Sequence, residues 1–315
     1  MRAIWPFKAP RCPELVPDDL PRRPDVRPDF FCIGAQRAGT SWLYRQLDAH
    51  PDFWMPPVKE LHYFDQFGRT QIAPRARDKR DAWFVKRLKS LAERMYIDLD
   101  EYARLFELKG LLLSGDITPA YSTLNDEIIE AIVTRFPDAK VIFFARDPVE
   151  RAWSWFSLAV RERTIPPFNP ADAEAVMQTL HHPGVLLRSY PSKIVARWKR
   201  HVRPELFRVF FFDQLEQNPA AVRRSVLQFL AADPEKPSGR LPPNHNVDAQ
   251  RARLPLTAKV RARLAQFFRH ELKACATELG GPAKTWPARY GFSLIWFVAQ
   301  ILDSLDLFFS CDWVV

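Results

Sequence analysis

The sequence predicts an α/β protein, a parallel β-sheet with helices on both faces, and three observations carry that prediction. Apolar runs of strand length recur: Phe30-Phe31-Cys32-Ile33, then Lys140-Val141-Ile142-Phe143-Phe144-Ala145, then Phe207-Arg208-Val209-Phe210-Phe211-Phe212. Strands buried on both faces read as continuous apolar runs rather than alternating ones. Segments of helical spacing separate these runs, and strand–helix alternation specifies a parallel sheet. The first run opens into two glycines and two hydroxyl residues, then into the helical spacing of Trp42-Leu43-Tyr44-Arg45-Gln46-Leu47. Strand, glycine loop and helix in succession make the fold P-loop-like. At 315 residues and 47% hydrophobic, the chain is long enough to bury a large core.

Residues 1–28 read as an extended lead-in, because Pro6, Pro10, Pro13, Pro17, Pro21, Pro24 and Pro28 prevent helix and strand alike. The α/β domain is expected over residues 29–289 and a separate apolar helical tail over 290–315. After the first strand and helix, His50-Pro51 is a stop and Asp52-Phe53-Trp54-Met55 a short extended piece. Lys59-Glu60-Leu61-His62-Tyr63-Phe64-Asp65 then concentrates polar groups among aromatics. Residues 68–96 are strongly basic, which reads as a solvated helix face or loop. Leu111 to Leu113 leads into a second strand ending in Gly115-Asp116-Ile117-Thr118-Pro119-Ala120-Tyr121. Asn125 is placed to cap a helix running to Phe136-Pro137. Arg146-Asp147-Pro148 ends the Lys140 strand, and Pro148 suits the first turn of the next helix. One helix is expected from Val185 to His201 and another from Ala220 to Leu230. Residues 233–255 read as proline-rich loop and 256–279 as helical.

The net charge of +9 points to an anionic partner without choosing among nucleotide, sulfated or phosphorylated substrate, nucleic acid or membrane surface. Cys12, Cys32, Cys275 and Cys311 are far apart and lack metal-ligand spacing, which reads as reduced thiols in a cytoplasmic protein. No stretch of about 20 apolar residues offers a spanning helix, and the N-terminus lacks a signal-peptide core.

The glycine loop carries chemistry. The first N–H groups of a helix have no partner within it and face whatever precedes it, and the helix dipole adds positive potential there. The spacing from Gly34 to Gly39, followed by Thr40 and Ser41, nearly writes the nucleoside-triphosphate P-loop. That motif has lysine where this chain has Thr40, and the nearby cation is Arg37, inside the loop. The loop is therefore suited to an anion but lacks the triphosphate lysine. The plainer alternative is an ordinary strand-to-helix turn.

Three motifs together resemble one family, the sulfotransferases that use 3′-phosphoadenosine 5′-phosphosulfate (PAPS), in the heparan-sulfate-type and bacterial branch. They are Gly34 to Ser41, Lys59 to Asp65, and Arg146-Asp147-Pro148-Val149-Glu150-Arg151-Ala152-Trp153-Ser154, and the likeness covers Phe30 to Trp286. The resemblance implies that Arg37, Ala38, Gly39, Thr40, Ser41 and Trp42 cradle the 5′-phosphosulfate, with Arg37 stabilising the leaving oxygen. It implies that Arg146 and Ser154 hold the 3′-phosphate. Glu60 would be the general base, His62 would support it, and Lys59 and Asp65 would contact the acceptor. Asn244 to Arg251 would close over the nucleotide. PAPS would be the donor, its desulfated form PAP the product, and no metal is required. One departure stands out: relatives often carry lysine just before the Thr-Pro pair, where this chain has Ile117.

The chemistry makes sense of these residue types. Sulfuryl transfer resembles phosphoryl transfer in aligning the entering and leaving oxygens. Backbone donors and a guanidinium fork stabilise the leaving phosphate, and a base must reach the acceptor hydroxyl. Glu60 is the base by resemblance, whereas His62, ordinarily near about 6.5, is the base by pKa. If the segment is extended, Glu60, His62 and Phe64 share one face, making the two candidates neighbours. Taken singly, each residue has a plainer reading: a surface carboxylate paired with Lys59, a hydrogen-bonded core histidine, an Arg146–Asp147 salt bridge. The competing functions are a P-loop kinase or NTPase, with Asp147 as the magnesium carboxylate, and a non-catalytic anion-binding protein. No nucleic-acid motif is present.

The tail from Tyr290 to Val315 spaces Phe292, Ile295, Trp296, Ala299, Leu302, Leu305 and Phe309 along one helical face. It reads as a helix packed on its own domain or on a second subunit, as in a homodimer. An in-plane membrane contact is the less favoured reading, because few basic residues flank it.

Overall fold

The computed structural model describes residues 14–15, 26–65, 81–94, 96–166, 168–237, 241–244 and 254–292. Four parallel strands form the central sheet: β1 (Phe30–Gly34), β2 (Gly115–Ile117), β3 (Lys140–Ala145) and β4 (Phe207–Phe211). Their spatial order is β2-β1-β3-β4. Phe30 pairs with both Gly115 and Lys140, and Val141 pairs with Phe207. Every residue of β1 and β2 is buried, as is all of β3 beyond Lys140. Consecutive side chains point to opposite faces, so unbroken burial means that both faces are covered.

The helices are α1 (Thr40–Asp48), α2 (Ala82–Ala92), α3 (Leu99–Ala103), α4 (Asp126–Arg135), α5 (Pro148–Arg161), α6 (Ala173–Leu180), α7 (Pro183–Leu186), α8 (Pro191–Lys199), α9 (Phe212–Gln217), α10 (Pro219–Leu230), α11 (Ala258–Phe267) and α12 (Arg269–Glu278). Their ends follow from local chemistry. The Asn125 side chain accepts from the Ile128 N–H at 3.1 Å and starts α4, as its position predicts. Pro148 occupies the first turn of α5, where its missing N–H costs nothing.

Three local expectations are corrected. The single helix from Val185 to His201 is broken into α7 and α8. Pro191 cannot donate to the preceding turn and pushes Tyr190 out of helical geometry, to φ −119° and ψ 71°. The lead-in, read as closed to helix and strand alike, holds a short strand at Glu14–Leu15 that pairs in parallel with Tyr96–Ile97, while region 256–279 is helical as read, in two helices parted at Phe268. The segment around Glu60 is not extended: Glu60 and His62 take φ of 66° and 55°. Within the basic run, α2 is helical as read, while residues 66–80 and 95 lie outside the described residues. So does most of the lead-in, and so does the tail from 293 onward. Of the four cysteines, Cys32 and Cys275 are described, and both are buried and free.

The topology sets the site. From β1 the chain passes to β2 on one side and then to β3 on the other, so the strand order reverses at β1. In open parallel sheets a crevice forms at such a reversal, beyond the carboxyl ends of the strands. The residues that follow β1, β2 and β3 begin the glycine loop, the Thr118-Pro119 segment and the Arg146 motif, and all three meet at that edge.

Candidate active site

Gly39 closes the loop and opens α1. Its φ is +100°, a conformation that favours glycine, and a Cβ there would lie 2.4 Å from Leu215 Cδ2, which would have to shift. Gly39 brings no capping side chain, so the first N–H groups of α1, at Thr40, Ser41 and Trp42, face the crevice. Thr40 and Ala38 are buried, and Ser41 is exposed. Arg37 stands in the loop at φ 69°. Its Nε donates to Ser154 Oγ in α5 at 3.0 Å. Arg146, at the end of β3, donates from Nη1 to the Arg37 carbonyl at 2.5 Å and lies 4.1 Å from the centre of the Phe212 ring. The first and third sequence motifs are thus one structural unit.

Asp147 is not the partner of Arg146. It is buried, caps α5 by accepting from the Val149 N–H at 2.9 Å, and accepts from the Tyr290 hydroxyl at 2.9 Å. Burial raises its pKa to about 6 against those two hydrogen bonds. A carboxylate spent on a helix cap is a poor magnesium ligand, which removes the residue on which the NTPase alternative depended.

The second motif forms a chain of ionisable groups. Lys59 pairs with Glu60 Oε1. His62 Nε2 lies 3.3 Å from Glu60 Oε2, and His62 Nδ1 lies 2.9 Å from Asp65 Oδ2. Burial works to raise Glu60, but the His62 hydrogen bond and the Lys59 charge overcome it and hold the carboxyl at about 2. Burial works to lower His62, but hydrogen bonds to Asp65 and Glu60 overcome it and lift the imidazole to about 9. At neutral pH the array is an imidazolium between two carboxylates.

The two candidate bases are therefore neighbours, as expected, though by a different route. An extended strand would align them by alternation; here two left-handed residues fold the segment back on itself. Arg37, Glu60 and His62 are three of the five non-glycine residues with positive φ among those described. Such conformations persist only where surroundings impose them, and they gather at functional sites. The surroundings are identifiable. Tyr63 stacks on Tyr102 at 5.4 Å, and its N–H donates to the Tyr121 hydroxyl at 3.2 Å. Buried Asp116, beside Ile117, accepts from Tyr121 at 2.7 Å, Tyr102 at 2.8 Å and Thr118 at 2.6 Å.

Residues 245–251, which the resemblance places over the nucleotide, lie outside the described residues, but the chain on either side is held by hydrogen bonds. Trp42 Nε1 in α1 donates to the Pro243 carbonyl at 2.6 Å, and Trp153 Nε1 in α5 donates to that of Leu254 at 2.9 Å. The flanks stand on the helices that carry the first and third motifs.

Residues 28–235, more than half of the chain, match the model described as the sulfotransferase family. The chain belongs to the sulfotransferase family. The membrane-associated sulfotransferase kil1 of Dictyostelium discoideum is 28% identical over 134 residues, which are 42% of this chain and 23% of that protein. The chain thus spans less than a quarter of the length of that curated relative. Among solved structures, a sulfotransferase from Alicyclobacillus acidocaldarius superposes with a TM-score of 0.60 at 23% identity, covering 82% of this chain and 98% of the other. It supports the P-loop-like fold. The sulfotransferase domain of the Synechococcus PCC 7002 olefin synthase reaches 0.49 at 17% identity, covering 79% and 98%.

Sequence reasoning missed the parts that two arginines play in this crevice. Arg188, in the turn between α7 and α8, donates from Nη1 to Gln36 Oε1 in the loop at 3.1 Å. Arg151, fully buried in α5, donates from Nη2 to the Val185 carbonyl at 2.7 Å. Its Nε and Nη1 are buried and have no hydrogen-bond partner among the described residues. Pro191 was the available signal that the 183–190 region turns. No local signal ties Arg188 to Gln36, because 152 residues separate them. Arg37, Arg146, Arg151 and Arg188 form one electrostatic neighbourhood. A set of guanidinium groups with orphaned buried donors fits a multiply charged anion such as a phosphosulfate nucleotide.

Proposed function

We propose that the protein transfers a sulfuryl group from PAPS to an acceptor hydroxyl, with Glu60 as general base. The observation that carries the reading is an ionised, hydrogen-bonded carboxylate held beside an anion-binding loop. Arg188 bonds the loop at Gln36 and lies in the field of Glu60 and Asp65, so the base segment and the loop share the crevice. When bound, the donor supplies an activated sulfuryl group on a phosphate leaving group.

The side chains divide the remaining work. The α1 N-terminus and Arg37 bind the 5′ end and offset charge that accumulates on the leaving phosphate oxygen. Arg146 and Ser154 hold the 3′-phosphate. Glu60 takes the acceptor proton as the acceptor oxygen–sulfur bond forms and the sulfur–phosphate oxygen bond breaks. His62, lifted to about 9 by Asp65 and Glu60, is the weaker candidate for that proton at neutral pH. It keeps Glu60 ionised and oriented, and Asp65 holds His62 in turn. A hydroxyl on a glycan, lipid or small molecule satisfies this chemistry.

Calorimetry with PAP, ADP and ATP–magnesium tests the reading. Preference for PAP in the absence of metal is expected; preference for ATP–magnesium overturns it.

A further inference from the structure

The three motifs leave the cations Arg151 and Arg188 without a role. Arg151 is fully buried, and the charged groups that act on it are Arg188, Arg146 and Arg37, all of its own sign. A guanidinium buried among cations is costly unless an anion completes the arrangement. Arg151 has two settled contacts, the Val185 carbonyl in α7 and the Ser189 hydroxyl in the turn that carries Arg188. Helix α5, which bears the third motif, is thereby fastened to that turn. The break imposed by Pro191 lets the turn reach the loop.

Arg188 stands at a defined place. On one side its Nη1 bonds Gln36, the neighbour of Arg37. On the other, the charges acting on it are Asp65 and Glu60. In-line transfer runs from a leaving oxygen at the loop to an entering oxygen at the base. A cation that touches the loop and lies in the field of the base flanks that line. The end of β2 supplies no cation, since Ile117 is apolar and buried.

We infer that Arg188 contacts the sulfuryl group in transit: its guanidinium, aimed by Gln36 and braced through Arg151, binds the non-bridging sulfuryl oxygens. The inference rests on the PAPS reading. Arg188 neither gives nor takes a proton; the bonds made and broken are those of the transfer itself. It holds the sulfuryl oxygens while Arg37 holds the leaving oxygen.

PAPS and PAP differ by the sulfuryl group alone, so their affinity ratio isolates the contact. Calorimetry on the whole chain, without acceptor, would compare wild type with Arg188→Met. The variant is expected to bind PAPS about tenfold more weakly and PAP within about twofold of wild type, as for loss of one charge-assisted pair. Gln36→Ala, which leaves the α7–α8 turn intact, is expected to lower the same ratio and decides the matter if Arg188→Met does not fold. Equal losses for both nucleotides, or an unchanged ratio, overturn the inference. Wild-type protein that binds neither nucleotide overturns the donor reading instead.

Discussion

Arg37 Nε donates to Ser154 Oγ at 3.0 Å, joining the glycine loop to helix α5 across 117 residues of sequence. The two ends of a phosphosulfate nucleotide would therefore be read by side chains already bonded to each other. Ser154→Ala removes the acceptor that orients Arg37. We expect PAP affinity to fall about ten- to a hundredfold, the worth of one hydrogen bond to a charged group. Unchanged affinity in calorimetry would show that the contact does not organise the site.

Arg146 ends β3 with Nη1 on the Arg37 carbonyl, which places its guanidinium beside the loop. Arg146→Ala should weaken PAP by about ten- to a hundredfold, the range for a charge-assisted pair. The analogue with a free 3′-hydroxyl should be much less affected. Equal loss for both would make Arg146 a scaffold for the Arg37 carbonyl only.

Glu60→Gln keeps the shape of the base but cannot accept a proton. Turnover with labelled PAPS should drop by about a hundredfold or more, the usual contribution of a positioned base, while PAP binding survives. Retained turnover would move the base role to His62.

The charge array also predicts how stability follows pH. The folded pKa of His62 is raised from 6.5 to about 9, so its contribution is fully present below 6.5 and is lost as pH rises through about 9. The folded pKa of Glu60 is depressed from 4.5 to about 2, so its contribution is present above 4.5 and is lost as pH falls toward about 2. Urea unfolding of wild type and His62→Gln across this range should give midpoints that differ at neutral pH and converge above about pH 9. A constant difference would mean that His62 is held by packing rather than by charge.

Tyr121 ties Asp116 to the backbone of the base segment. Tyr121→Phe removes one of three hydroxyls on a buried carboxylate and leaves the Tyr63 N–H without that acceptor. A destabilisation of about 1–3 kcal/mol is expected, with turnover falling more than PAP affinity, because the base and not the loop loses its support. Equal falls would show that the network supports the whole crevice.

The α/β class, the strands at Phe30 and Lys140, the Asn125 and Pro148 helix starts and the three motifs were all legible in the sequence. Each depends on local periodicity or on the chemistry of one residue type, and neighbours in sequence suffice to express it. The family resemblance offered Arg37, Gly39, Glu60, His62, Arg146 and Ser154 as site residues, and the structure brings Arg37 against Ser154 and Arg146, and Glu60 against His62.

Local signals misled where two of them compete. The apolar spacing from Val185 to His201 suggested one helix, yet Pro191 overrides spacing because it lacks the donor a helix interior needs. The neighbourhood of Glu60 and His62 was read on the condition of an extended segment, yet the bonds from Tyr63 to Tyr121 and Asp98 impose a folded path. Those partners lie 58 and 35 residues away, beyond any window of periodicity.

The sequence by itself determined which chemistry the chain can hold: a glycine loop at a strand end, a carboxylate–imidazole pair and an arginine motif in fixed order. Only the tertiary structure decided how those groups are charged and what stands among them. His62 is an imidazolium because Glu60 and Asp65 flank it, and Arg188 belongs to the site because a proline-broken turn is fastened to α5 by Arg151. Proximity in space sets electrostatics, and residues far apart in the chain become neighbours only when the sheet brings its strand ends to one edge.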